Sequence, residues 1–202
     1  MDSYPVAFDV ERPAAFQRAH VFLRLVILIL LGVVVGGWFA PFGLVFLAFP
    51  VLAAVFVAQK GGRRYVEEDG PAITGVLRWV VGALAYLAAL TDRLPGGGGG
   101  EPVVRFDVQR SGSPTVGSAL LRIVYAIPSA IALTILGVAS SVVWLVALIG
   151  ILLTESYPEA LWRFQRAIVR WDVRLLVYLS SLVEPYPPYR IDMGAEPPGV
   201  PA

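Results

Sequence analysis

Two long stretches of the chain contain no charged residue. The first runs from Leu25 to Gln59 and the second from Ile123 to Thr154, and an arginine precedes each. One membrane-spanning helix needs about 20 apolar residues, or about 17 at the short end, so each stretch is long enough for two short crossings. Glycine, proline and serine residues near the middle of each stretch favour a turn there. The pattern predicts two helical hairpins that span a membrane, over about residues 17–59 and about residues 114–154.

The composition of the chain is typical of a membrane protein. Of the 202 residues, 57% are hydrophobic, whereas soluble domains contain about 45–50%. Buried helices of a soluble protein are the alternative, but soluble domains rarely keep such long runs free of charge. The net charge of +1 gives no basic field for nucleic acid, and the absence of cysteine excludes disulfides and thiolate metal sites. Acidic residues precede the first apolar run, so we expect no signal peptide.

The chain carries an internal repeat. The phrase VAFDVER at residues 6–12 returns as VRFDVQR at residues 104–110, at an offset of 98 residues. Later positions match at an offset of 92, so the second copy is shorter by six residues. Equivalent phrases within one chain indicate a tandem duplication. Other matched positions are Arg24 with Arg122, Tyr65 with Tyr157, Arg78 with Arg170, Trp79 with Trp171, Tyr86 with Tyr178, and Asp92 with Glu184.

Each copy is predicted to contain a short strand, the transmembrane hairpin and a third helix, in an all-α membrane protein. Glycine-rich and proline-rich segments separate or follow the copies. The predicted boundaries are 1–95 for the first copy with its third helix at about 71–90, 96–102 for a glycine-rich linker, 103–193 for the second copy with its third helix at about 158–183, and 194–202 for a disordered tail.

Three short phrases alternate their side chains at period two and predict strands. They surround Asp9, Asp107 and Asp192 in the sequence. Two arrangements fit them equally well. The phrases either pair as a small sheet at the cytoplasmic membrane surface or form three independent extended arms.

The third helix of the second copy carries a stripe of arginines. On a helical wheel, four arginines fall within roughly 80° of one another and Trp171 flanks them, as Trp79 does in the first copy. Four arginines disfavour a full crossing, and an apolar face opposite them is typical of a helix lying in the membrane interface. The repeat extends this prediction to the other third helix. The predicted surface for anionic lipid or a partner comprises Arg163, Arg166, Arg170, Arg174 and Arg78.

The confinement of charge to the flanks of the apolar stretches predicts a topology. By the positive-inside rule, both termini, the linker and both third helices lie in the cytoplasm. Arg24 and Arg122 lie about one turn inside the first helix of each hairpin. Each is predicted either to reach the headgroups as an interfacial anchor, as the two tryptophans do, or to pair with the strand acid, Asp9 or Asp107.

The second copy resembles a known family. The motif LT-x-x-YP at residues 153–158 is followed by Arg170-Trp171, by Tyr178-Leu179 and by L-x-E-x-YPPY at residues 182–189. Together they resemble the bacterial membrane family catalogued as domain of unknown function 4389, over roughly residues 104–193 and more faintly over 4–95. The resemblance implies paired membrane hairpins with cytoplasmic flanks, and it implies no activity.

No pattern of catalytic, cofactor-binding or metal-ligating residues accompanies these features. His20 is the only histidine, and the run Gly96–Gly100 lacks the Lys-Ser/Thr of a phosphate loop. We therefore expect no enzyme, no cofactor and no metal site. The leading hypothesis is a non-enzymatic scaffold or accessory subunit in the membrane, which meets lipids and a protein partner or a second copy of itself. The alternative is a small carrier or pore, although the apolar stretches lack the ionisable groups that carriers usually need.

Overall fold

The computed structural model describes residues 4–35, 40–96 and 103–194. The turn predicted for the first hairpin rests on Gly36, Gly37, Pro41 and Gly43; its residues 36–39, most of the linker 96–102 and the tail beyond residue 194 lie outside the described residues. The elements are β1 (Val6–Val10), α1 (Arg18–Val35), α2 (Ala40–Lys60), α3 (Gly62–Arg64), a π-helical turn (Tyr65–Asp69), α4 (Gly70–Leu87), β2 (Val104–Val108), α5 (Val116–Thr154) and α6 (Glu159–Leu179).

The two strands pair with each other in an antiparallel two-stranded sheet. Phe8 lies opposite Phe106, and the register is centred on this pair. Side chains alternate across a strand, so Val6, Phe8 and Val10 all point to the same side and are buried. The third phrase, around Asp192, forms no strand.

The hairpin predicted over about residues 114–154 is wrong, because α5 is one continuous helix of 39 residues. At 1.5 Å per residue it is about 58 Å long. An isolated glycine costs a helix only about 1 kcal/mol relative to alanine, so Gly137 does not end it. The hydroxyl of Ser141 donates to the carbonyl of Gly137 at 2.7 Å, which satisfies the serine within the helix. Nothing near the middle of α5 therefore forces a turn.

The course predicted for the first hairpin is wrong as well. The amide of Phe16, just before α1, donates to the carbonyl of Glu155 at the C-terminal end of α5. Gly62, just after α2, packs directly against the backbone of Pro114 at the other end of α5. A continuous helix cannot fold back on itself, so the segment from α1 to α2 runs the length of α5 instead of returning to its start.

The last helix, α6, is the central element of the fold. It packs along α5 and against β1 and α4, and 15 of its 21 residues are buried. The prediction of an interfacial helix at about 158–183 is therefore wrong. Its polar face is covered by protein, because β1 and the C-terminal tail lie over the arginines. The wheel predicted which residues share a face, but a helical period cannot show what covers that face.

Two helical segments among the described residues are long and apolar enough to span a membrane, Gly62–Leu87 and Val116–Thr154. The first includes the third helix that the sequence predicted to be interfacial. Only 17% of the most apolar window of α5 is buried, whereas a core helix of a soluble protein would be mostly buried. Large apolar side chains more than half exposed on α5 include Ile131, Ile135, Val138, Val142, Ile149 and Leu153. This surface supports a membrane location.

Candidate functional site: the buried arginines and the cavity beside α6

Arg24 fastens α1 to the end of α4. Its side chain is fully buried and donates to the carbonyls of Tyr86 and Thr91 at 2.8 and 2.7 Å and to a carboxylate oxygen of Asp92 at 2.7 Å. The guanidinium also lies over the Tyr86 ring, 4.7 Å from its centroid. The ion pair predicted between Arg24 and Asp9 is therefore wrong, and so is the anchor at the headgroups.

Arg122 makes the corresponding contacts between α5 and the end of α6. It donates to the carbonyls of Tyr178 and Val183, both at 2.6 Å, and lies 4.4 Å from the centroid of the Tyr178 ring. Asp107, the predicted acidic partner, is exposed and accepts a hydrogen bond from the next amide in its own strand. The equivalent of Asp92 is Glu184, whose residue is exposed. Arg122 is thus held by neutral carbonyls and an aromatic face.

Two arginines of α6 converge on Asp9. Oδ1 of Asp9 accepts hydrogen bonds from Arg166 at 3.0 Å and from Arg170 at 3.4 Å. Nε of Arg170 donates to the carbonyl of Phe8, which joins β1 to α6 through the backbone as well. Spacing of four residues places both arginines on one face of α6. The strand therefore neutralises part of the stripe.

The C-terminal tail covers the same arginines. Arg166 donates to the carbonyls of Met193 and Gly194 at 2.9 and 3.0 Å. Arg170 donates to the carbonyls of Asp192 and Gly194, both at 2.8 Å. Peptide carbonyls are good acceptors for a buried guanidinium, because each donor must be satisfied away from water. The tail segment around Asp192, which was predicted to be a strand, thus covers the arginine face of α6.

The predicted lipid or partner surface is wrong for three of its five residues. Arg166, Arg170 and Arg174 are buried, and Arg174 lies over the ring of Tyr4 at 5.5 Å. Arg163 and Arg78 are exposed, as a surface role would require. Of the two tryptophans, Trp79 is exposed. Trp171 is buried and meets Tyr189 edge to face, with 6.0 Å between the ring centroids.

A cavity of about 330 Å³ lies beside this cluster, at the beginning of α6. Arg163 forms an exposed ion pair with Glu159, and the hydrogen bond from Arg163 holds the pKa of Glu159 below its usual value. Arg12 donates to the carbonyl of Tyr157 at 2.5 Å. The residues lining the cavity are Val10, Arg12, Glu159, Trp162, Arg163, Arg166, Met193 and Gly194.

Asp172 is the second of the two carboxylates of α6, after Glu159, and is half-buried. Burial raises its pKa to about 7, since a carboxylate loses its hydration when apolar groups surround it. No described residue donates a hydrogen bond to it. It lies seven residues from Gln165, two helical turns away on the same face, and Gln165 accepts a hydrogen bond from Ser140 of α5. Asp172 therefore lies on the face of α6 that packs against α5.

Sequence reasoning missed several residues that complete these contacts. Arg12 follows the first strand phrase, and Asp92 follows the end of the third helix of the first copy. Nothing local marks them as partners of residues far along the chain. Asp192 had a signal, because its phrase was the third to contain an aspartate at an alternating position. The tail carbonyls had none, because any residue can supply a carbonyl.

Comparison with known proteins assigns part of the chain to a family. Residues 117–190 match the model of DUF4389, described as a domain of unknown function. The match lies within the segment whose motifs carried the predicted resemblance, and it confirms that resemblance. The segment contains Arg122 and all four arginines of α6. No curated protein and no solved structure shows a significant match to the chain.

Proposed function

We propose that the protein is a non-enzymatic integral membrane protein, a scaffold or accessory subunit of a bacterial cytoplasmic membrane with both termini in the cytoplasm. The observation that carries the proposal is the exposed apolar surface of α5. A water-soluble monomer rarely exposes a contiguous apolar patch of more than a few hundred Å². In a bilayer the same surface meets lipid tails at no such cost.

The polar side of the fold supports a protein that holds its shape without catalysing a reaction. Arg166 and Arg170 of α6 are held by hydrogen bonds to β1 and to the tail. Arg24 and Arg122 are held by hydrogen bonds to backbone carbonyls at the ends of α4 and α6. A buried network of this kind rigidifies a structure when its members are satisfied. A rigid body with an apolar face in the membrane and an ordered polar face suits a subunit that positions a partner or a second copy of itself.

The proposal includes a tandem duplication, which corresponding contacts in the two halves support. Arg24 with Tyr86 and Arg122 with Tyr178 are equivalent pairs at the sequence offsets of 98 and 92. Ala89 and Ser181, also 92 apart, have positive φ values of 60° and 59°. The strand register pairs each position with the counterpart expected from a two-fold axis through Phe8 and Phe106. The family match to one half alone fits a first copy that has diverged further.

The membrane location is tested with single cysteines, because the chain contains none. Val138→Cys lies on the apolar surface of α5, and Glu67→Cys lies on an exposed polar turn; both native residues are exposed. In open membrane fragments, where the reagent reaches both sides of the bilayer, a water-soluble maleimide should label position 67. It should leave position 138 unlabelled until detergent or denaturant is added. Equal labelling of both positions would contradict the proposal.

The scaffold role is tested by purification in mild detergent. The full chain should retain a protein partner or form a defined oligomer, identified by mass spectrometry and light scattering. A monomer without any retained protein, from cells that express it at native level, would argue against this role.

A small carrier is the second candidate, and Asp172 favours it. A half-buried carboxyl group with a pKa near 7 can exchange a proton under physiological conditions. Proteoliposomes that contain only this protein should then show proton or solute flux that Asp172→Asn abolishes. Flux equal to that of empty liposomes would reject the carrier.

A further inference from the structure

The cavity beside α6 opens to the surface where β1, the first turns of α6 and the C-terminal tail meet. We propose that it binds a phosphate group, carried either by a phospholipid headgroup or by a small soluble phosphate. The inference goes beyond the proposed function, and only its lipid form rests on the proposed membrane location. A volume of about 330 Å³ is at the lower end of ligand pockets and exceeds what a phosphate alone needs.

The charge of the lining favours an anion. Arg12, Arg163 and Arg166 bring three guanidinium groups to one cavity, and Glu159 is the single acidic residue among its lining residues. Guanidinium groups bind phosphate through paired, charge-assisted hydrogen bonds. Asp9 pairs with Arg166 from outside the lining, and the positive charge that remains favours a phosphate monoester or diester.

An unused donor lies in the wall of the cavity. Arg166 is 6% exposed, and its Nε has no hydrogen-bond partner among the described residues, although its two terminal nitrogens do. A buried N–H group is normally satisfied, so the orphaned Nε indicates a missing acceptor. The Arg166 guanidinium also lies 4.9 Å from the centroid of the Trp162 ring, which keeps it in place.

The N-terminal end of α6 also favours binding of an anion in the cavity. Its N-cap position is Pro158, which provides no side-chain hydrogen bond to the first turn. The free amides of a helix N-terminus and the helix dipole attract anions. Glu159 and Trp162, both in the first turn, line the cavity, so the uncapped end borders it. Three arginines, an orphaned donor and an uncapped helix end thus meet at one cavity.

Glu159 would act as an internal competitor for the phosphate. It pairs with Arg163, and both side chains are about half exposed. Exposed ion pairs are weak, so an incoming phosphate can displace the carboxylate from Arg163. Removal of this carboxylate should therefore strengthen binding of an anion.

The test uses the full chain in a neutral maltoside detergent and isothermal titration calorimetry at low salt. The probes are inorganic phosphate and dihexanoyl phosphatidic acid, with dihexanoyl phosphatidylcholine as the zwitterionic control. We expect saturable binding that Arg12→Gln combined with Arg163→Gln weakens at least tenfold. Glu159→Gln should strengthen it. The matched control is Arg78→Gln, an exposed arginine on α4, which should change the affinity less than twofold.

Each outcome decides the proposal. Binding of both probes, or of phosphatidic acid alone, supports the site, and the second result assigns it to lipid. Binding of inorganic phosphate alone supports a soluble phosphate. Absence of saturable binding to either probe overturns the proposal, as does an unchanged affinity in the double variant that remains folded. Failure of the membrane or scaffold proposal would leave the inorganic phosphate titration unaffected, so the failures are distinguishable.

Discussion

Replacing Asp9 with asparagine is expected to destabilise the protein, because Asp9 is the carboxylate that neutralises two buried arginines. Its Oδ1 accepts from Arg166 and Arg170, whose side chains are 7% and 1% exposed. Breaking a buried ion pair by removing one partner costs about 3–5 kcal/mol. Asp9 itself is 21% exposed, and asparagine keeps one neutral acceptor, so we expect a smaller loss of about 2–3 kcal/mol.

The matched control is Asp107→Asn in β2. Both aspartates accept the amide of the following valine at 3.0 Å, so the local hydrogen bond is the same in the two strands. Asp107 is exposed and has no arginine of α6 beside it among its described contacts. Its replacement should change the free energy of unfolding by less than about 0.5 kcal/mol. The pair of variants thus isolates the contribution of the buried charges.

The assay is thermal unfolding of the purified protein in detergent, followed by near-ultraviolet circular dichroism. For a chain of this size, 1 kcal/mol shifts the midpoint by about 2–4 °C, so Asp9→Asn should lower it by roughly 4–12 °C. A midpoint for Asp9→Asn within 2 °C of that for Asp107→Asn, an interval of about 0.5–1 kcal/mol on the same scale, would refute the reasoning. It would show that the tail carbonyls alone satisfy the two arginines.

Three further outcomes are expected. Arg24→Met should destabilise the fold more than Arg122→Met, by about 1 kcal/mol or more, because it leaves the mostly buried carboxylate of Asp92 without a cation; thermal unfolding with the reverse order would contradict this. Asp172 has a pKa of about 7 in the folded state against 3.8 when unperturbed. Ionising it therefore lowers the free energy of unfolding, and this cost is absent below about pH 4 and complete above about pH 7. Asp172→Asn should therefore be more stable than the native chain at pH 8, by up to about 4 kcal/mol, and equal to it at pH 4, whereas a difference independent of pH would oppose the assignment. Gly62→Ala should cost about 1–3 kcal/mol because a Cβ would overlap the backbone before α5, whereas Gly75→Ala, with open space around it, should stabilise α4; equal effects in unfolding experiments would disprove the close approach.

The sequence predicted the elements better than their connections. Both strand phrases, the apolar stretches and both third helices could be located from periodicity, because a helix repeats every 3.6 residues and a strand every two. The end of α6 was placed within a few residues. The turn within α5 was wrong, since a single glycine and two serines mark a turn only weakly when the flanking residues favour a helix.

The candidate site depended on contacts that no local pattern records. The sequence identified the arginines of α6 and the aspartate of β1 as notable residues. It could not pair them, because Asp9 and Arg166 are separated by 157 positions. A stripe of arginines on a helix is stable either when water solvates it at a surface or when buried acceptors hydrogen-bond to it. The helical period of the sequence is the same in both cases.

The amino-acid sequence by itself determined that this chain has too much uninterrupted apolar length for an ordinary soluble domain, and that its two halves use the same phrases. Transfer free energy and periodicity are local properties, so they can be read from neighbouring residues. Tertiary structure alone decided that α5 crosses the molecule as one helix, that Asp9 and the tail cover the arginines of α6, and that Arg12, Arg163 and Arg166 meet around a cavity. Those outcomes depend on which distant acceptor reaches each donor, and burial makes that choice energetically decisive.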